Sequence, residues 1–240
     1  MGDTFRIYLK DLATSSEGDT YWGEGTRYLL GCGLKALYDT ICDPPAGLLT
    51  DLHSAAGDPV PMGGAAQLSH ARMVAPRTSV FETLDLVPPQ PPYPSTPFKR
   101  SDYWWNPAKA SVSGTAVLIY CLRKRGDSLI ARRTKGTDAK LGLGGSTHRT
   151  GAGAISEIYV EDILSTSGNS MQALIKLAFH ESMHNKLEVM VPPGRTPPDM
   201  HRDAGLAAAV VAPDATLNET NVRRMRAALA RPVPQDTRYL

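Results

Sequence analysis

The chain of 240 residues is 42% hydrophobic, 21% charged and 7% aromatic, a globular balance with enough sequence to bury a sizeable core. Its net charge of +2, from 26 Lys and Arg against 24 Asp and Glu, gives no electrostatic case for gripping a phosphate backbone, so nucleic acid is not an expected partner. No run approaches the roughly 18 apolar residues of a membrane span, and Met1 to Lys10 lacks the basic-then-apolar layout of a secretory signal. A chain made in the cytoplasm without a membrane partner is the expectation, any export following a non-classical route. Arg6 stands where a myristoylation signal requires Ser or Thr, so no lipid anchor is indicated. Cys32, Cys42 and Cys121 form no Cys-x-x-Cys spacing, which favours reduced thiols; a short Cys32 to Cys42 loop is the one bridge left open.

Along the chain, Phe5 to Leu9 reads as a short strand. Thr26 to Ile41 has helical spacing, with Leu29, Leu30, Leu34, Leu37 and Ile41 roughly on one side, and Cys42-Asp43-Pro44-Pro45 ends it. Prolines thicken between Asp51 and Pro107, and Val87 to Pro94 favours an extended polyproline linker or arm. Residues 1–107 are therefore expected as a loop-rich, Pro-rich portion of unknown role, packed on or tethered to a domain at 108–240. Val112 to Leu122 is a β-rich run, and Asp127 to Arg133 a second, paired with it as a hairpin across the Arg125-Gly126-Asp127 turn.

Leu141 to Ser146 is glycine-rich but lacks the Lys-Ser/Thr of a phosphate loop, so a flexible loop is expected. Ala154 to Ile163 has strand composition, and Asn169 or Ser170 is a suitable helix N-cap. Met171 to about Met190 is the most helical segment, and its apolar positions go almost all the way round, which marks a buried central helix. Pro192 to Pro198 reverses the chain, Gly205 to Val211 is an apolar run, and an amphipathic helix spans about Asn218 to Ala230.

Polar residues inside a buried helix need a reason, and here they read His180-Glu181-Ser182-Met183-His184, an H-E-x-x-H sequence. Histidines at i and i+4 share one helix face, close enough for both imidazoles to ligate one zinc ion. Glu181 points beside them, where its carboxylate reaches a metal-held water without becoming a ligand. The bland reading is a pair of satisfied core histidines. Burying two unpaired imidazoles and a carboxylate costs several kcal/mol unless a metal or partner compensates, so the metal reading is preferred.

Over His180 to His184 the chain resembles the zincin superfamily of zinc metallopeptidases. The resemblance implies an α+β fold: a small mixed or antiparallel sheet, a buried active-site helix and a C-terminal helical subdomain. In zincins an antiparallel edge strand before that helix receives substrate as an added strand, and Ala154 to Ile163 occupies that place here. A metzincin would need Gly at Leu187 and His at Met190, and a gluzincin would draw on Glu219 in Asn218-Glu219, so the clan stays open.

The third metal ligand has to come from elsewhere. Glu188 lies ~12 Å along the helix axis from His180, too far to converge on the same ion. Asp199, His201, Asp203 and Glu219 are the candidates, with His201 ranked first because it follows the reversal and imidazole is a favoured zinc ligand. Asp203 also suits a role as acceptor for the free N–H of a ligating histidine. Tyr159, His148 and Tyr239 are available to stabilise an oxyanion, Met200 or Met225 to underlie the metal, and Asn185 to fix the turn after the helix.

The expected function is a zinc-dependent metalloendopeptidase with one zinc ion and a peptide or protein substrate. His180, His184 and His201 would be ligands, and Glu181 would take the proton of the attacking water. Two alternatives accompany it: a non-catalytic, zinc-stabilised binding or structural protein, and a delivered effector or toxin protease with a single protein target.

Overall fold

Five strands form one mixed sheet in the computed structural model, which describes residues 4–13, 24–42, 78–83, 116–133, 141–188, 199–229 and 233–236. The polyproline run Val87 to Pro94, the reversal Pro192 to Pro198, His53, His70 and Tyr239 lie outside the described residues. The strands are β1 (Thr4–Leu12), β2 (Thr78–Thr83), β3 (Ala116–Leu122), β4 (Gly145–Thr150) and β5 (Gly153–Tyr159), in the order β2-β1-β3-β5-β4. All neighbours are parallel except β4, which runs antiparallel to β5 and forms one edge, with Thr147 opposite Ser156.

Every residue of β3 is buried, as a central strand covered on both faces requires. Alternation divides its neighbours between two cores. Phe5, Ile7, Leu9, Val117, Ile119, Cys121 and Ile158 belong to the cluster beneath α1 (Glu24–Cys42), α3 (Val160–Thr166), α4 (Met171–Leu187) and α5 (Glu219–Leu229). Tyr8, Leu118, Tyr120, Ile155 and Tyr159 form a smaller cluster with Leu129 and Ile130 of α2 (Leu129–Arg133). The coarse expectation of an α+β fold holds in this mixed sheet and its helices. Among the described residues no helix is long and apolar enough to cross a membrane.

Helix α1 forms where its spacing predicts, burying Leu30, Leu34, Tyr38 and Ile41 while Leu29 turns outward. Tyr38 stacks on Phe5 of β1 at 4.6 Å between centroids and meets the edge of Phe179 of α4 at 5.3 Å. Its hydroxyl donates to Ser182 Oγ at 2.6 Å, so α1 and α4 share a buried polar link as well as apolar contact. Arg226 of α5 donates to the carbonyls of Ile41 and Cys42, satisfying acceptors that the end of α1 leaves open. None of the three cysteines is in a disulfide; Cys32 and Cys42 stand ten residues apart on one helix, ~15 Å along its axis, beyond disulfide reach.

Among the described residues the amino-terminal elements share the sheet and core of the rest, since β1 lies between β2 and β3 and α1 packs on the same core. Three sequence expectations change. The second strand of the expected hairpin is instead a 3-10 turn, Arg125–Asp127, followed by α2. One cause is local, Ser128 Oγ accepting from Ala131 N at 3.2 Å as an N-cap, and the other is distant in sequence: the Glu157 carboxylate of β5 accepts from Leu129 N at 2.7 Å, Ile130 N at 2.8 Å and Ser128 Oγ at 2.7 Å at the helix start. The strand expected over Ala154 to Ile163 ends at Tyr159, and α3 begins at once, with Glu161 and Asp162 favourably placed in its first turn. Finally, β5 is internal. The edge strand is β4, drawn from the glycine-rich stretch expected to be a flexible loop.

The short segment 233–236 completes the sheet where β3 and β5 stop pairing. Ala154 N donates to Pro234 O at 2.7 Å, Asp236 N to Ala154 O at 2.8 Å, and Leu118 N to the Gln235 side-chain oxygen at 3.0 Å. The same Gln235 exchanges two hydrogen bonds with the Asn185 amide of α4, which also donates to Ser156 Oγ at 2.9 Å. Asn185 is thus fully buried, locking the last turn of α4 to the sheet.

Candidate metal centre

Ser170 starts α4 as its N-cap, its hydroxyl accepting from Ala173 N at 3.2 Å, and the helix then runs unbroken to Leu187. That continuity puts His180 and His184 one turn apart on one face, with ring centroids 4.7 Å from each other. His201 arrives from the 3-10 turn Met200–Arg202, which Asp199 caps by accepting from His201 N at 3.1 Å. Fully buried Met200 anchors that turn in the core beside α4. His201 stacks nearly parallel to His180, 5.4 Å between centroids, and remains exposed on its outer side.

The Nε2 atoms converge. His184 Nε2 is 3.1 Å from His180 Nε2 and 3.1 Å from His201 Nε2, and the three donor atoms lie within 4.8 Å of one another. The far nitrogen of His180 faces an acceptor: Nδ1 donates to the Leu206 carbonyl at 2.8 Å, which leaves its Nε2 as a bare lone pair. His184 Nδ1 faces a Glu188 carboxylate oxygen at 2.6 Å. Bare imidazole nitrogens 3.1 Å apart repel unless a proton or cation lies between them. Two nitrogens each about 2.05 Å from a tetrahedral zinc stand ~3.3 Å apart, close to the spacing seen. The three imidazoles therefore form a group able to hold a metal ion.

Burial, reinforced by the charges of His184 and His201, pushes the His180 pKa down to about 4 despite the Leu206 hydrogen bond, so the ring is neutral and ready to ligate at physiological pH. Burial also pulls on His184, but the Glu188 hydrogen bond and the charges of Glu181 and Glu188 outweigh it and leave that pKa raised. Glu181 is pushed up to about 7, chiefly by burial.

Glu181 leaves the helix beside the histidines and is held by β4. Thr147 Oγ1 lies 2.8 Å from its Oε2 and 2.9 Å from its main-chain oxygen. A Cβ at Gly145 would come within 2.6 Å of Glu181 Cγ and 2.7 Å of the Glu157 carbonyl, so the glycine makes room for the carboxylate to lie against the strand.

The remaining candidates fall elsewhere. Asp203 pairs with Arg224 at 2.9 Å, and Glu219 pairs with Arg223 one turn along α5; neither joins the three histidines. Asp199 is the cap of the His201 turn, its carboxylate 3.7 Å from His201 Nδ1. Tyr159 is fully buried in the smaller core, where its hydroxyl donates to Glu157 at 3.0 Å. His148 is half-buried on β4, its pKa lowered by burial and by the charge of His184. Met200 and Met225 are both core residues.

Sequence reasoning missed Gly145, Thr147 and the Leu206 carbonyl. Only the glycine left a trace, in a stretch whose composition reads equally well as a loop. Compared with known proteins, the chain matches no family model, no curated protein and no solved structure.

Proposed function

We propose that the protein is a zinc-dependent metalloendopeptidase. The observation that carries this reading is the convergence of three imidazole nitrogens, one of them from the exposed His201, beside a carboxylate held on the neighbouring edge strand. Structural zinc sites are closed by four protein ligands, whereas catalytic sites keep a position open; among the described residues this cluster offers three. The antiparallel edge strand next to the histidine helix also agrees with the zincin arrangement, with β4 in the place expected for Ala154 to Ile163.

His180, His184 and His201 would hold the ion. When bound, zinc supplies Lewis acidity that polarises a carbonyl and acidifies water towards a pKa of roughly 7. Glu181 accepts the proton of the attacking water and delivers it to the departing amine, so that bond cleavage and proton transfer balance. Thr147 orients the Glu181 oxygen that moves this proton. The outer edge of β4 offers main-chain donors and acceptors to an extended peptide, aligning it across the histidine cluster.

The test compares zinc content and peptide hydrolysis in the wild type and Glu181→Gln. About one zinc per chain in both, with hydrolysis lost only in the variant, is the expected result. Equal activity in the two would remove Glu181 from the mechanism, and a metal-free wild type after zinc loading would overturn the site.

A further inference from the structure

Glu188 is too far along α4 to share an ion with His180, yet its carboxylate is engaged at the cluster from behind. Its Oε2 lies 2.6 Å from His184 Nδ1, and its own N–H donates to the His184 carbonyl at 3.0 Å, closing the last turn of the helix around that histidine. The three imidazoles are not supported alike. His180 rests on a neutral main-chain carbonyl at 2.8 Å, and the Asp199 carboxylate stands 3.7 Å from His201 Nδ1, outside hydrogen-bond reach. Among the described residues, His184 is the one imidazole of the cluster with a charged acceptor at hydrogen-bond distance on its far nitrogen. His184 is also central, its Nε2 being 3.1 Å from both of the others.

We propose that Glu188 is a positioning residue of the metal centre, which makes the working motif H-E-x-x-H-x-x-x-E on a single helix. The inference rests on the metalloenzyme reading above. The i+4 carboxylate orients the His184 ring, keeps the proton on Nδ1 so that Nε2 carries the lone pair, and places a negative charge behind a ligand set that is otherwise neutral. Partners of this kind orient metal-bound histidines and raise their basicity, and their loss typically weakens metal binding by 10- to 100-fold. An ordinary exposed i, i+4 pair would have no such effect on a cation.

The experiment uses the full chain and zinc alone, with the dissociation constant measured by competition against a chromophoric chelator for the wild type, Glu188→Ala and Glu188→Gln. The metal-free melting temperature of each is recorded alongside. The expected result is zinc binding about 10- to 100-fold weaker in Glu188→Ala, with partial recovery in Glu188→Gln, whose amide oxygen still accepts from Nδ1, and metal-free melting temperatures unchanged. Unchanged zinc affinity overturns the proposal. So does a loss of affinity matched by a fall in metal-free melting temperature, since that marks a purely structural residue. If the wild type binds zinc and hydrolyses peptides while Glu188→Ala binds zinc equally well, this inference fails and the peptidase reading stands. If the zinc effect is found in a protein without hydrolytic activity, the reverse holds.

Discussion

Gly145 and Thr147 act on the same carboxylate from one strand, but through different physics. Gly145→Ala would drive a methyl group against Glu181 Cγ and the Glu157 carbonyl, and the backbone oxygen yields little. A loss of about 1–3 kcal/mol is expected in urea unfolding of the metal-free protein. Thr147→Val keeps the shape and removes only the hydroxyl that faces Glu181 Oε2. Zinc content should be retained while kcat/KM falls by about tenfold or more, as expected for a lost hydrogen bond to a charged group; an unchanged kcat/KM would deny Thr147 its orienting role. For the proposed ligands, zinc analysis should show metal loss in His201→Ala and full retention in Asp203→Ala and Glu219→Ala, since those two carboxylates pair with Arg224 and Arg223 instead.

At the scale of elements, α4 is clamped from three directions. Tyr38 of α1 reaches Ser182, Thr147 of β4 reaches Glu181, and Gln235 reaches Asn185. The last clamp spans 50 residues of sequence and sits beside His184. Asn185→Ala would leave the half-buried Gln235 amide short of partners, and Gln235→Ala would remove the partners of Leu118 N and Asn185 Oδ1 while Asn185 keeps its bond to Ser156. Each is expected to cost about 1–3 kcal/mol. Because both variants break the same link, the double variant should cost less than the sum of the singles, and a full double-mutant cycle in urea checks this. Simple additivity would mean that the two amides do not act as a unit.

For the whole molecule, one buried charge carries a pH signature. Lys186 is buried, its ammonium has no hydrogen-bond partner among the described residues, and a Phe5 ring 5.2 Å away supplies only a weak cation–π contact. Burial pushes its pKa down to about 7. In the unfolded chain the group stays protonated up to about 10.5, so between those values the unfolded state binds more protons and stability contributed through this residue rises with pH. Below about 7 both states are protonated and the full desolvation penalty applies. Lys186→Met should therefore stabilise the metal-free protein by a few kcal/mol at pH 6, and the gain should shrink towards pH 10, as followed by denaturant unfolding with a chelator present. A gain independent of pH would mean that folding does not lower the Lys186 pKa.

Periodicity and local chemistry were legible along the chain. The spacing of α1, the Ser170 cap, the near-continuous apolar surface of α4 and the H-E-x-x-H register follow from contacts within a few residues, which any stretch of sequence carries with it. His201 was reached by the chemistry of imidazole and the need for the chain to return. Tertiary structure decided what depends on partners far away in sequence. Together with the local Ser128 cap, Glu157 of β5 turned the expected strand after Arg125-Gly126-Asp127 into a helix by accepting at its start, and the pairing of Thr4–Leu12 between β2 and β3 drew the amino-terminal part into the same core. The glycine-rich stretch became an edge strand because β5 supplied its ladder and Glu181 needed the space beside Gly145. The carbonyl of Leu206 behind His180 had no signature at all, since every residue carries a carbonyl and only the fold selects the one that meets a buried imidazole.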